Sequence, residues 1–216
     1  RPGQSIGAFT VGKNILQLQQ GVEYNSELNS SINPNSVITN NVIRFGITER
    51  VELSTLIDYQ INNYTLNEKS YSYNGLSNLH IGARFHITDQ RGIIPTTGFQ
   101  VRLKMPDVSN NYGINNLAPV MIFVANWALP KKLSLGTNWI YTTSGNDPVA
   151  VGKYIINFGF PIVNKLSGFI ENYGQIVGDV FQTRFDGGLA YLVNNNVQFD
   201  LSAGYGSNPG IEDYFI

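Results

Sequence analysis

The chain has 216 residues, a net charge of -1 and only 13% charged residues. This balance excludes the broad basic surface that nucleic-acid-binding proteins use, so no nucleic-acid partner is expected. The absence of cysteine excludes disulfides and thiolate metal sites. No apolar run reaches the roughly 18 residues that a transmembrane helix needs.

Apolar and polar residues alternate through almost the whole chain, whereas helical periodicity is hard to find. In Val51–Gln60, for example, Val51 and Leu53 share one face, and Glu52 and Asp58 lie on the other. Such period-two patterns indicate β-strands with one apolar face. Twelve strands are predicted, at about residues 14–25, 36–46, 51–60, 77–88, 93–105, 117–129, 133–142, 151–161, 166–174, 180–193 and 197–206, with a last one starting near Tyr214.

The predicted connections alternate in length. Short turns fall at residues 47–50, 88–92, 130–132, 163–165 and 194–196. Longer loops, rich in Asn, Ser and Gly, fall near residues 26–35, 61–76, 106–116, 142–150, 175–179 and 207–213. Membrane barrels have short turns at one rim, longer loops at the other and strands of about 9–11 residues. The sequence therefore predicts an all-β fold, a transmembrane up-and-down antiparallel β-barrel of about 12 strands.

Both ends of the chain are expected to differ from the regular strands between them. Residues 1–13 precede the first predicted strand, and they are expected either to hang in the periplasm or to fold into the lumen as a small plug. Residues 14–216 are assigned to the barrel. The last strand starts near Tyr214 and the sequence stops at Ile216, so this strand is expected to be truncated.

The second strand departs from simple alternation. Thr39 and Asn41 fall on its apolar face, while Val42 falls on the polar face. We therefore expect a β-bulge in this strand, which would insert one extra residue and shift the phase of the inward–outward alternation.

The stretch 117–129 is apolar on both faces. Its inner face carries Val120, Ile122 and Val124, where the lumen of a barrel should be polar. These side chains are expected to pack against a plug segment or a neighbouring protein.

If the apolar faces meet lipid, the opposite faces line the lumen. They carry six acids, six permanent bases and two histidines, and these lumen-lining candidates are Glu23, Arg44, Glu52, Asp58, His80, Arg84, His86, Arg102, Lys104, Lys153, Glu171, Arg184, Asp186 and Asp200. The balance predicts paired charges, because an unpaired ion away from bulk water is costly. Arg44 and Glu52 flank the turn at 47–50 and are expected to pair directly. The set forms either a solute path or a charge latch that closes the lumen.

The two histidines do not indicate catalysis or metal binding. His80 and His86 lie six residues apart on one strand, hence about 20 Å apart, too far to share a metal ion. Two hydrogen-bonded interior histidines are the simpler interpretation. The chain also has no G-x-S-x-G stretch. Catalytic residues, metals and cofactors are therefore not expected, and the protein is not predicted to be an enzyme.

Six segments together resemble a known family. They are "RPGQS" at the N-terminus and residues 42–53, 76–87, 133–141, 166–174 and 185–206. They are similar to the outer-membrane β-barrels regarded as transporters of the phenol-degradation meta-pathway type. The resemblance implies an outer-membrane barrel over nearly the whole chain. It also implies recurrent inward residues at Arg44, Glu52, Arg84, Glu171, Asp186 and Asp200.

The expected function is a narrow, porin-like channel or transporter for small polar or amphipathic solutes. The expected location is the outer membrane of a Gram-negative bacterium, with the N-terminus periplasmic and the long loops extracellular. The alternative is a structural or accessory barrel with a closed, charge-latched lumen in a larger outer-membrane assembly. Outer-membrane lipid is the expected partner in both cases, with other outer-membrane proteins added in the second.

Overall fold

The computed structural model describes residues 3–28, 32–146, 149–208 and 211–216. These residues form twelve β-strands and one short 3-10 helix, Pro130–Lys132. The strands are β1 (Leu16–Leu28), β2 (Asn35–Gly46), β3 (Val51–Leu66), β4 (Lys69–Thr88), β5 (Thr96–Lys104), β6 (Ala118–Ala128), β7 (Ser134–Thr143), β8 (Ala150–Val163), β9 (Leu166–Val177), β10 (Val180–Asn194), β11 (Val197–Asn208) and β12 (Ile211–Phe215).

The strands close into one antiparallel barrel. Each strand pairs with its neighbour in the chain, and β12 pairs with both β11 and β1 to complete the ring. The predicted fold class and strand number are therefore confirmed. We call the end with the turns at 47–50, 89–95, 129–133, 164–165 and 195–196 the turn rim, and the opposite end the loop rim.

The loop predicted at 61–76 is wrong, because β3 and β4 continue through it. They pair as far as Leu66 and Lys69 and are joined by Asn67 and Glu68 alone. Both turn residues have positive φ, of 50° and 63°, as a tight hairpin turn requires. Spanning a bilayer takes about 9–11 residues, so this hairpin of 16- and 20-residue strands projects beyond the loop rim.

The bulge expected in the second strand is also wrong. The pairing of β2 with β1 and β3 runs without a register shift, so Thr39 and Asn41 do lie on the outer face. Each of these side chains donates a hydrogen bond to a carbonyl of β3, Thr39 to Tyr59 and Asn41 to Ile57. Bonding to the neighbouring strand satisfies the polar groups, so no change of phase is needed.

The outer surface of the barrel is strongly apolar. Phe199 and Leu201, for example, are each 69% exposed, and Trp139 is 56% exposed. Such surface greatly exceeds the apolar patches that soluble proteins tolerate, and it suits contact with lipid. Among the described residues, no helix is long and apolar enough to span a membrane.

Candidate functional site

Residues 3–11 pass through the interior of the barrel, and we call them the N-terminal segment. Near its end, the backbone N–H of Val11 donates to Glu52 at the turn rim, 2.9 Å away. Near its start, the N–H groups of Gln4 and Ser5 donate to the carboxylate of Glu171 in β9, at 2.6 and 3.1 Å. The segment therefore runs from the turn rim to the middle of the strands.

Two asparagines hold the middle of the N-terminal segment. Asn138 of β7, fully buried, accepts from the N–H of Ile6 at 2.6 Å and donates to its carbonyl at 2.9 Å. Asn126 of β6 accepts from the N–H of Ala8 at 2.8 Å. The sequence analysis missed both residues because it selected inward residues by charge. The isolation of Asn126 on the otherwise apolar inner face of β6 was a signal that could have identified it, whereas the inner face of β7 around Asn138 also carries Ser134 and Thr142 and gave no such signal.

A small apolar core forms where the N-terminal segment meets β6. Ile6 and Ala8, which are 4% and 0% exposed, pack against Ile122 and Val124. Val120 lies beside this cluster. The apolar inner face of β6 is therefore explained by packing against the N-terminal segment.

Glu52 is the centre of a buried ion cluster, which we call the latch. Its carboxylate accepts two hydrogen bonds from Arg44, at 2.7 and 2.8 Å, and Arg84 Nε lies 3.5 Å away. The predicted pairing of Arg44 with Glu52 is confirmed. Both arginines also donate to the carbonyl of Phe9, at 3.2 and 3.3 Å. The latch thus joins β2, β3 and β4 to the N-terminal segment.

His86 belongs to the same contact region. Its ring stacks on Phe9 with the centroids 5.4 Å apart, and its nitrogens lie 3.3 Å from the Ala8 carbonyl and 2.8 Å from Asp89. The contact with His86 lowers the pKa of the exposed Asp89 carboxyl. Within the described ranges, no three His, Cys, Asp or Glu side chains are grouped as a metal site would require.

A second part of the lumen wall is basic, and we define the basic group as His80, Arg102, Lys104 and Lys153. None of the four makes an ion pair within 4.0 Å with a carboxylate of the described residues. Asp58 of β3, an acid on the same wall, accepts instead from Asn78 at 2.9 Å. Its other oxygen, Oδ1, and His80 Nδ1 are buried with no hydrogen-bond partner in the described chain. His80 therefore departs from the expected hydrogen-bonded histidine.

The remaining predicted lumen residues lie away from the latch. Arg184 pairs with Asp213 of β12, a partner that the sequence analysis missed. Glu23 accepts from Asn25 at 2.9 Å, and Asp186 is buried on β10. Asp200 is exposed and accepts from Gln198 at 3.3 Å. The structure thus divides the candidates into separate groups, and not into one site.

An open cavity of about 730 Å³ lies above the N-terminal segment, towards the loop rim. We call it the outer cavity. Gln4 contributes to its lining, together with Glu23 and Glu27 of β1, Asn62 of β3 and Arg184 of β10. Among the described residues, which leave out parts of three loops at the loop rim, the lumen is therefore open at that rim and filled by the N-terminal segment towards the turn rim.

Two glycines of the wall let the N-terminal segment and the adjoining Gly12 approach closely. A Cβ at Gly98 would lie 2.8 Å from the Ala8 carbonyl oxygen, and one at Gly46 would overlap the Gly12 carbonyl.

We expect Gly98→Val to displace the N-terminal segment and to increase ion conductance in planar bilayers. Gly21→Val is the control, because a Cβ there meets nothing within 4 Å. Equal conductance of the two variants would contradict close packing at Gly98.

A closed antiparallel barrel with an apolar exterior and a polar, charged interior is the architecture of the outer-membrane β-barrels. The profile of the family described as "Putative MetA-pathway of phenol degradation" matches residues 1–215. The chain belongs to this family, which confirms the resemblance seen in the sequence.

Two solved structures have the same fold at low sequence identity. An outer membrane channel from Pseudomonas putida F1 is 10% identical with a TM-score of 0.68, and the match covers 99% of this chain and 98% of that one. The translocator domain of the autotransporter NalP from Neisseria meningitidis is 10% identical with a TM-score of 0.55, covering 93% and 85%. No curated protein matches the sequence. The comparisons agree with the prediction that the protein is not an enzyme, since they match it to outer-membrane barrels.

Proposed function

We propose that the protein is a narrow outer-membrane channel for small polar or amphipathic solutes, with residues 1–13 acting as its plug. The observation that carries this proposal is the outer cavity of about 730 Å³, which ends on Gln4 of the N-terminal segment. A twelve-stranded barrel is intermediate between the filled interior of eight strands and the open channel of about 16–18. A plug of one extended chain is enough to close such a lumen.

The proposed orientation places the turn rim in the periplasm and the loop rim outside the cell. Short turns face the periplasm in outer-membrane barrels. Val11 contacts Glu52 at the turn rim, so the chain enters the lumen from that side. The start of β1 is therefore assigned to the periplasmic side, from which the N-terminal segment runs back into the lumen, and the projecting β3–β4 hairpin is assigned to the cell surface.

Conductance of the purified protein in planar bilayers tests the proposal. We expect small, discrete current steps that fluctuate as the N-terminal segment moves. If neither the full chain nor a chain lacking the segment conducts ions, the channel function is wrong.

The alternative function is an accessory barrel in a larger outer-membrane assembly. The buried latch favours it, because Glu52 and Phe9 fasten the N-terminal segment to three strands. Cross-linking in native membranes distinguishes the two functions. Exclusive recovery of the monomer would exclude the accessory role, whereas a stable complex with a non-conducting lumen would support it.

The basic group leads to a prediction about ion selectivity. Arg102, Lys104 and Lys153 have no carboxylate partner among the described residues, whereas Glu52 is neutralised by Arg44, so this part of the lumen, below the outer cavity, should favour anions. We expect the double substitution Arg102→Gln/Lys104→Gln to lower the anion-to-cation permeability ratio by about two- to threefold. Reversal potentials in a salt gradient measure this ratio. Lys131→Gln/Lys132→Gln, the same change of charge at the exposed turn rim, should leave it nearly unchanged.

A further inference from the structure

The outer cavity has an aromatic wall that the channel function does not require. Tyr64 and Tyr73 line the cavity from the inner face of the β3–β4 hairpin. Tyr64 stacks on Tyr71 with the ring centroids 5.2 Å apart, and Tyr73 packs against Tyr112 at 5.6 Å. Tyr112 also accepts a hydrogen bond from Asn62 at 2.9 Å. The rings are therefore held in place by one another before any ligand binds.

The same cavity is lined by side-chain amides with unused hydrogen-bonding groups. Gln60 donates to Asn62 at 3.0 Å, and Asn25 donates to Glu23 at 2.9 Å. An amide has two donor hydrogens and a carbonyl oxygen with two lone pairs. The side-chain carbonyl oxygens, Oε1 of Gln60 and Oδ1 of Asn25, have no hydrogen-bond partner among the described residues. These groups are available to a ligand.

The side chains that line the outer cavity restrict the chemical class of ligand that can bind there. Glu23 and Glu27 contribute carboxylates to the lining, and Arg184 is occupied by Asp213, so an anionic ligand is disfavoured. A purely apolar ligand would leave the amides without partners, which is costly. Uncharged sugars meet both requirements of this wall. Their hydroxyl groups form hydrogen bonds with amides and carboxylates, and their C–H faces pack on aromatic rings.

We infer that the outer cavity is a binding site for uncharged oligosaccharides, held between the tyrosines of the β3–β4 hairpin and the amides around Asn62. A volume of about 730 Å³ lies within the range of about 300–1,000 Å³ usual for small-molecule sites. The inference depends on the proposed channel function in one respect only, which is the role of the binding site in solute uptake. Binding itself requires no flux through the barrel.

Equilibrium binding of maltotriose and of tri-N-acetylchitotriose to the full chain tests this inference. The protein is kept in a polyoxyethylene detergent, since detergents with sugar head groups would compete for the cavity. Calorimetry and saturation-transfer NMR should both detect saturable binding of at least one of the two sugars. Binding by a protein that does not conduct would support the saccharide site and reject the channel, so the two proposals fail separately.

Substitutions locate the site. Tyr73→Ala and Asn62→Ala should each weaken binding by about tenfold, because one removes the stacking surface and the other disturbs the amide network. Tyr73→Phe, which keeps the ring, should bind within about threefold of the unchanged protein. Tyr141→Ala is the control, because Tyr141 lies on the outer face of β7 and is 49% exposed.

Three results would overturn the inference. The first is the absence of saturable sugar binding by folded protein, with folding judged from heat-modifiable electrophoretic mobility. The second is sugar binding that is unchanged in Tyr73→Ala and Asn62→Ala. The third is binding of tetramethylammonium more tightly than of either sugar, which would assign the tyrosines and carboxylates to a cationic ligand.

Discussion

A chain lacking residues 1–11 is expected to conduct several-fold more current per channel than the full chain in planar bilayers. The N-terminal segment occupies the lumen from Glu52 at the turn rim to Glu171 in the middle of β9. Its removal would connect the outer cavity with the turn rim. Single-channel recording at fixed salt and voltage measures the change.

A synthetic peptide of residues 1–13 provides the matched control for the deletion. Added on the turn-rim side of the shortened channel, it should lower the current again, because the wall groups that bind the segment remain in place. A peptide with the same composition and a scrambled order tests for non-specific block. If the deletion leaves the conductance unchanged, the segment is not what limits passage through the lumen.

Glu52→Gln is expected to lower the free energy of unfolding by about 3 kcal/mol, because it leaves two buried guanidinium groups without their carboxylate. Glu52 is 0% exposed and accepts from Arg44, while Arg84 lies 3.5 Å away. Urea unfolding followed by tryptophan fluorescence measures the loss. Glu68→Gln, the same change at the exposed tip of the β3–β4 hairpin, should change stability little.

A second substitution separates charge from packing at the latch. Glu52→Gln/Arg84→Gln removes one acid and one base, so the excess of buried positive charge is smaller than in Glu52→Gln alone. The double variant should therefore recover part of the lost stability. If it is less stable than the single variant, packing of Arg84 rather than charge balance dominates.

The sequence predicted the barrel because lipid and lumen impose opposite polarity on alternate residues. Where that contrast disappears, the prediction failed. Residues 61–76 alternate Asn, Tyr and Ser on a hairpin that projects beyond the loop rim, so the apolar face was absent and the strands were taken for a loop. On β2, hydrogen bonds from Thr39 and Asn41 to β3 carbonyls allow polar residues on the outer face, and no sequence pattern encodes such bonds.

The contacts of the latch and of the N-terminal segment were only partly predictable from the sequence. Arg44 and Glu52 flank one turn, and proximity in the chain was enough to pair them. Glu171 binds the N–H of Gln4 across the lumen, 167 residues away in sequence. Such a contact depends on where the N-terminal segment lies in three dimensions. Asn126 and Asn138 were missed because inward residues were selected by charge, and their partners in the N-terminal segment are backbone groups, which no side-chain pattern identifies.

Side chains of the barrel wall bind the main chain of the N-terminal segment. Five backbone N–H groups and three backbone carbonyls, from Gln4, Ser5, Ile6, Ala8, Phe9 and Val11, bond to side chains of the barrel. Every peptide presents these groups, whatever its side chains. The close approaches at Gly98 and Gly46 are also made to main-chain atoms, the carbonyls of Ala8 and Gly12. The anchoring bonds therefore depend on the path of the main chain, whereas side-chain identity matters where Ile6 and Ala8 pack against β6 and where Phe9 stacks on His86.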